Sequence, residues 1–248
     1  MTIRTDGIVI REQNAASQDK LITLLTKEAG LLKAFVNGGR NPKNKNVSST
    51  DLLCFSDFSL EKTKKGTFYI KEATAKNVFF SLREDIVTLS LAQYLAELTN
   101  ELAPREENAS EFLSLLLNSL HLLSKGEKDK DIIKSVAELR MLTISGYMPQ
   151  IVGCNKCGVF ESEKMYFDSF SGELFCNSCQ PARKLIALSP GAVTALRHIC
   201  LSESSKIFSF NLPKEALEEL NNATEKYTLS IAGKKFKTLD FYKKMTEF

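Results

Sequence analysis

The sequence has no Gly-x-x-x-x-Gly-Lys-Ser/Thr loop, so it lacks the phosphate cradle of an ordinary ATPase engine. Gly38-Gly39 are too few glycines to hold a nucleotide instead. Only two histidines occur, His121 and His198, and each lies in a leucine-rich stretch where a packed or surface imidazole is the ordinary outcome. No His-x-Glu accompanies the cysteine pairs, which excludes the zinc deaminase arrangement. There is no Gly-x-Ser-x-Gly elbow for a nucleophile. Glu84-Asp85 and Glu106-Glu107 are adjacent acids at expected helix starts, where carboxylates serve the helix dipole. No apolar run reaches membrane-span length, and the N-terminus shows no signal-peptide core. No repeat or low-complexity tract stands out. These absences leave no assembled active site. The expectation is a protein that is not an enzyme, with no small-molecule substrate and no membrane partner.

What is present is an ordinary globular balance: 43% hydrophobic and 25% charged residues in a chain of 248. That length holds one large domain or two or three small ones. The net charge of +3 is unevenly spread. Residues 1–80 carry 13 Lys+Arg against 8 Asp+Glu, net +5, and residues 81–150 carry 7 against 11, net −4. A phosphate-binding surface is therefore expected in the N-terminal third.

Four of the six cysteines form the sharpest motif. Cys154-Asn-Lys-Cys157 is followed after eighteen residues by Cys176-Asn-Ser-Cys179. Each Cys-x-x-Cys turn aims two thiolates at one ion, and two such turns complete a tetrahedral sulfur cage for a single zinc. All four positions are Cys, so the cage is closed and structural. Met165–Asp168 and Gly172–Phe175 read as a hairpin between the pairs, which makes a zinc ribbon. The other readings of the motif are two reduced dithiols or two disulfides. Cys54 and Cys200 lie among apolar residues and read as buried free thiols, consistent with a reducing cytoplasm.

Residues 1–80 read as β structure, with runs at Ile3–Arg11, Leu21–Thr26, Leu31–Asn37, Leu52–Leu60 and Thr67–Ala73. Five short strands suggest a small barrel, either an OB-fold or an SH3-like barrel. Alternation puts Leu32, Ala34 and Val36 on one face and Lys33, Phe35 and Asn37 on the other. Likewise Phe68 and Ile70 turn inward, while Tyr69 and Lys71 turn outward. An outer face with Lys33, Phe35, Tyr69 and Lys71 offers cations for phosphates and rings for stacking bases. Alternatively, the two rings pack beneath a neighbouring domain. The loop 38–47 is polar, carries Arg40, Lys43 and Lys45, and contains no acid. It reads as an exposed grip for nucleic-acid backbone. Lys62, Lys64 and Lys65 form a second basic turn that reads as a solvated face.

From residue 84 the period becomes helical. Helices are expected over Ile86–Leu102, from a capping box at Asn108–Glu111 to Gly126, and over Asp131–Ser145. After the ribbon, Ser189-Pro190 opens another helix, and two more follow Pro213. The expected class is α+β: an N-terminal five-stranded barrel at 1–80, and a helical domain at 81–150 and 183–248. A four-cysteine zinc ribbon at 151–182 is inserted into that helical domain.

The order of these parts resembles the RecO family of bacterial recombination mediators. The resemblance is carried by Asp6–Arg11, Lys20–Thr26, Gly30, Gly38-Gly-Arg40, Ala96-Glu-Leu98, Leu139–Leu142, Gly146–Pro149, the ribbon and Ser189-Pro190. It covers nearly the whole chain. It implies an N-terminal OB-fold and a non-catalytic role in DNA repair. It implies binding of single- and double-stranded DNA, annealing of complementary strands, and action with RecR to load RecA on DNA coated by single-strand-binding protein. The family's DNA surface corresponds here to Lys33, Arg40, Lys43 and Lys45, and its zinc is a support, absent from some members. It further implies contact with the acidic, apolar-ended tail of single-strand-binding protein. Arg140, flanked by Leu139 and Met141, is the candidate cation for that tail, unless it pairs with a nearby helix acid. The expected location is the bacterial cytoplasm, with the nucleoid. Two readings from other classes stay open: a metal-dependent nucleic-acid-processing enzyme and a zinc-ribbon transcription regulator.

Overall fold

The structure, a computed structural model, describes residues 2–15 and 18–247. Five strands open it: β1 (Thr2–Asn14), β2 (Lys20–Thr26), β3 (Gly30–Val36), β4 (Phe55–Lys62) and β5 (Phe68–Asn77). They follow the order β1-β2-β3-β5-β4, and β4 pairs back onto β1. Four of the ladders are antiparallel. The seam between β3 and β5 is parallel and holds only two pairs, Ala34 with Phe68 and Phe35 with Tyr69. This is the expected OB-like barrel, with a short closing seam.

Alternation builds its core. Ile22, Leu24, Ala34, Val36, Phe58 and Leu60 are each 0% exposed and face one another inside the barrel. Burying a side chain of this size contributes about 1.5–3 kcal/mol, so the inward face fixes the register. The β4–β5 register shifts twice, once between Phe55 and Ser56 near the end of β5 and once in its middle. The second shift lies between Ser59 and Leu60, opposite the stretch from Glu72 to Ile70. Ile70 and Ala73 both join the core, while Lys71 and Glu72 both point out. Two residues on one strand opposing one on the other are a β-bulge. Strict alternation carried past Lys71 would have turned Glu72 inward.

Asp85 caps helix α1 (Ile86–Leu102) by accepting from the backbone N–H groups of Val87 and Thr88. The helix stops before Pro104, packs on β1, and is followed by α2 (Ser110–Lys125). The expected capping box at Asn108 takes a tighter form. Asn108 accepts from the N–H of Ser110 at 3.0 Å, an Asx turn, and the Ala109 carbonyl takes the first helical bond.

The chain forms two compact units, Met1–Lys125 with Phe241–Phe248, and Gly126–Asp240. The second contains α3 (Lys130–Ile144), α4 (Pro190–Leu201) and α5 (Lys214–Ala232), and α6 (Lys237–Thr246) begins in it. Its sheet holds the expected hairpin, β6 (Met165–Asp168) with β7 (Glu173–Cys176). It also holds a strand that the sequence did not suggest, β8 (Ile186–Leu188), paired to the other edge of β6. Three residues are too few to show a period. No helix among the described residues is long and apolar enough to cross a membrane.

Candidate metal centre and nucleic-acid face

The two knuckles flank the β6–β7 hairpin. The first is closed by the N–H of Gly158 bonding the Cys154 carbonyl at 2.8 Å and by the N–H of Cys154 bonding the Val159 carbonyl at 2.9 Å. Gly158 has φ +75°, a conformation that disfavours any side chain. In the second knuckle the N–H of Cys179 reaches the Cys176 carbonyl at 3.1 Å. The Sγ atoms of Cys154, Cys157, Cys176 and Cys179 all lie within 4.8 Å of one another. Cys157 and Cys176 are 3.8 Å apart, matching the sulfur–sulfur edge of about 3.8 Å that follows from a tetrahedral cage with metal–sulfur bonds of about 2.3 Å. The four thiols therefore fit one metal ion. Cys154 and Cys176 are buried, Cys157 is exposed and Cys179 is half-buried.

The thiols of the cluster hold their protons unequally. Burial pushes the Cys154 thiol up, but backbone N–H groups of Cys176, Cys157 and Lys156 together outweigh it and bring it down to about 6. The Cys179 thiol is pushed up to about 12, first by hydrogen bonding with Cys176 and Cys157, then by burial. Cys54 and Cys200 are buried as expected, and burial raises both thiols, Cys200 to about 11.

An anchor for the ribbon escaped sequence reasoning. Arg197 of α4 is buried, donates from Nε to the Ile151 carbonyl at 2.8 Å and from Nη2 to the Phe160 carbonyl at 2.6 Å. Its guanidinium stacks 3.9 Å from the Phe160 ring centroid. Burial lowers its pKa, with Glu161 opposing. Arg197 so clamps both arms of the first knuckle. Phe167 of β6 meets Tyr227 of α5 edge-on at 5.6 Å, which ties the hairpin to the helices.

On the barrel, Lys33 and Lys71 are exposed, and Phe35 and Tyr69 are half-buried. Phe35 and Tyr69 are register partners on the parallel seam and stack at 5.5 Å with planes 27° apart. Lys33 and Phe35, two apart on β3, share an outer face with Tyr69 and Lys71, two apart on β5. Arg40, Lys43 and Lys45 are exposed on the loop between β3 and β4.

That loop is ordered by its asparagines. Asn41 Oδ1 accepts from the N–H of Lys43 and Asn44 Oδ1 from the N–H of Asn46. Asn44 Nδ2 donates to the Asn37 carbonyl at 2.6 Å. Buried Asn46 accepts at Oδ1 from the N–H of Ala73 on β5 at 3.1 Å. A side chain thus stands in for a strand partner where the two-pair seam has ended. Gly39 lets the loop start lie close to the barrel, since a Cβ there would meet Val36 Cβ at 2.9 Å and Lys20 Cβ at 3.0 Å.

The loop contains no acid of its own, but the bulge in β5 supplies one. Lys45 Nζ lies 3.1 Å from Glu72 Oε1. Arg40 and Lys43 have no ion-pair partner among the described residues. Exposed Arg4, opposite Ser59 on β4, which is in turn opposite Glu72, is a further cation that strand reading missed.

Arg140 is engaged within its own unit. Its Nη1 donates to the carbonyls of Ile199 at 3.2 Å and Cys200 at 2.9 Å, the last turn of α4, and Nη2 donates to Ser204 Oγ at 3.3 Å. A cation on those carbonyls complements the helix C-terminus. Leu139 and Met141 are both 0% exposed, so they line the core and form no surface groove. Arg140→Ala should cost about 1–3 kcal/mol in thermal or denaturant unfolding through these lost bonds.

The comparisons agree with this arrangement. Residues 1–79 match the family described as Recombination protein O N terminal, and residues 83–240 match Recombination protein O C terminal. The DNA repair protein RecO of Acetivibrio thermocellus is 34% identical over 242 residues, covering 97% of this chain and 96% of the relative. That of Alkaliphilus metalliredigens is 27% identical over 247 residues, covering 99% and 100%. With both halves matched and full-length relatives of the same length, the chain belongs to the RecO family of DNA repair proteins.

Proposed function

We propose that this protein is a recombination mediator that works by binding, without turnover. Its barrel face takes single- and double-stranded DNA by the backbone and brings complementary strands together. With RecR it loads RecA onto DNA coated by single-strand-binding protein. The observation that carries the reading is the joined surface of Lys33, the stacked Phe35–Tyr69 pair and Lys71, flanked by the loop cations Arg40, Lys43 and Lys45. Cations track phosphates, and the solvent-facing part of the half-buried ring pair takes bases without reading sequence.

In this reading residues 1–80 are the DNA-binding module and residues 151–182 an insertion into the helical part. The four cysteines hold one structural zinc. Zinc suits an all-thiolate tetrahedral site with no open position. The acidic part of the tail of single-strand-binding protein meets Arg140 on the Nη2 side that reaches exposed Ser204, and its apolar end docks elsewhere, since Leu139 and Met141 are buried. The work is done in the bacterial cytoplasm, at the nucleoid.

The experiment is incubation of purified protein with labelled complementary strands and magnesium. Strand annealing with input-length products supports the reading. Products shorter than the input would establish a nuclease and end it. Preference for one duplex sequence would point to a transcription regulator instead.

A further inference from the structure

We infer that Glu72 is a built-in competitor for nucleic-acid phosphate on the barrel face, occupying Lys45 until backbone displaces it. The inference rests on the barrel-face reading above. The β5 bulge turns Glu72 outward beside Lys71. The carboxylate meets Lys45 Nζ at 3.1 Å, while both side chains remain open to solvent at 68% for Lys45 and 54% for Glu72.

Three cations surround this acid. Lys45 reaches it from the loop, Lys71 precedes it on β5, and Arg4 stands in the same cross-strand row through Ser59. Asn46, next to Lys45, is fixed to Ala73, next to Glu72, so the backbone on both sides of the pair is tied. The geometry therefore holds a carboxylate where a phosphate would sit.

Such an exposed pair is cheap to open. It acts on binding twice. A phosphate at Lys45 must first replace the carboxylate, and the freed carboxylate then repels the incoming backbone. The freed carboxylate also takes a cation back from solution, so binding releases fewer ions net. Glu72 thereby loosens the complex and shortens its life, which suits a protein that must hand its strand on.

The test uses the full chain and a labelled single-stranded oligonucleotide, titrated across a salt series. Glu72→Gln keeps the size and the hydrogen-bonding capacity of the side chain and removes only the charge. It should bind about 3-fold tighter at low salt, the scale of one exposed ion pair. Its salt slope should steepen by roughly 0.7, one single-strand phosphate contact. In a Lys45→Ala background the same substitution should lose most of that gain, since neighbouring partners couple. Unchanged or weaker binding by Glu72→Gln, at wild-type thermal stability, overturns the inference. If Glu72→Gln is unchanged while Arg40→Ala, Lys43→Ala and Lys45→Ala together weaken binding, only the role of Glu72 falls. If that triple variant keeps full affinity, the barrel-face reading falls and takes this inference with it.

Discussion

If the four-cysteine site holds one zinc as proposed, Cys176→Ser should release it and unfold residues 150–182 locally, while the helices of the second unit stay folded. In isolated zinc-finger peptides metal binding is worth on the order of 10–16 kcal/mol, and there it is the folding energy itself. Here the ribbon has other supports. Arg197 holds the carbonyls of Ile151 and Phe160, β8 pairs with β6, and Phe167 packs on Tyr227. Those contacts confine the loss to the ribbon and spare the helices around it. The first knuckle is held further by the N–H of Asn155 on the Leu174 carbonyl of β7 at 2.7 Å, while the second is tied to β6 through Tyr166 Oη on Asn177 Oδ1 at 3.2 Å, so the metal's loss falls hardest on the second. Replacing Cys176 removes one of the two buried ligands and leaves buried Cys154, exposed Cys157 and half-buried Cys179 to hold the ion. The expected readouts are loss of about one equivalent of zinc and new protease cleavage confined to 150–182. Wild-type protein purified under reducing conditions without zinc would remove the ribbon from the explanation.

Lys134→Met should be the most destabilising single change in the helical unit. Lys134 is 1% exposed and lies between α3 and α5. Its Nζ is 2.9 Å from Glu138 Oε1, 3.0 Å from Glu225 Oε2 and 2.7 Å from Asn221 Oδ1. Glu138, 0% exposed, also accepts from Thr224 Oγ1 at 2.7 Å, and Asn221 Nδ2 donates to Asp131 Oδ1 at 2.9 Å. Burial disfavours the ammonium, but Glu138 and then Glu225 outweigh it, so the pKa of Lys134 is raised above 10.5. A raised lysine contributes stability that is complete at neutral pH. It fades only as pH climbs past 10.5 toward the folded-state value. Methionine fills the volume but strands the Glu138 carboxylate, a loss of about 3–5 kcal/mol. Thermal unfolding should fall by roughly 10 °C. Adding Glu138→Gln should recover much of it, because the stranded charge is the cause. A Lys134→Met protein that melts with wild type would show that α3 and α5 are held by apolar packing alone.

Sequence legibility followed the range of the interaction. Cysteine spacing located the metal cage because each knuckle is local. Alternation placed Lys33, Phe35, Tyr69 and Lys71 correctly on the outside, because β3 and the start of β5 are regular. It failed at Glu72, where the bulge inserts one residue that no local signal marks. The loop 38–47 was legible as exposed and basic, but the partner that anchors Asn46 and the acid partner of Lys45 both come from β5. Nothing in the sequence marked Lys134, since Asn221 lies 87 positions away and the register of two helices is set by packing. Arg140 was singled out for its neighbours, yet Leu139 and Met141 face the core.

The DNA-binding face is tested most directly by replacing Arg40, Lys43 and Lys45 together with alanine. Affinity for single-stranded DNA is then measured against salt. A second variant, neutralised at Lys234, Lys235, Lys237, Lys243 and Lys244, serves as control. Each phosphate contact releases counterions, so the loop variant should bind weakly to every sequence, with a salt slope flatter by about one unit per lost contact. Sequence preference should not change, because backbone contacts position the strand and do not read it. The control should bind as wild type does. A loop variant that keeps its affinity and slope, beside a control that loses both, would contradict the barrel face and move the DNA to the C-terminal lysines.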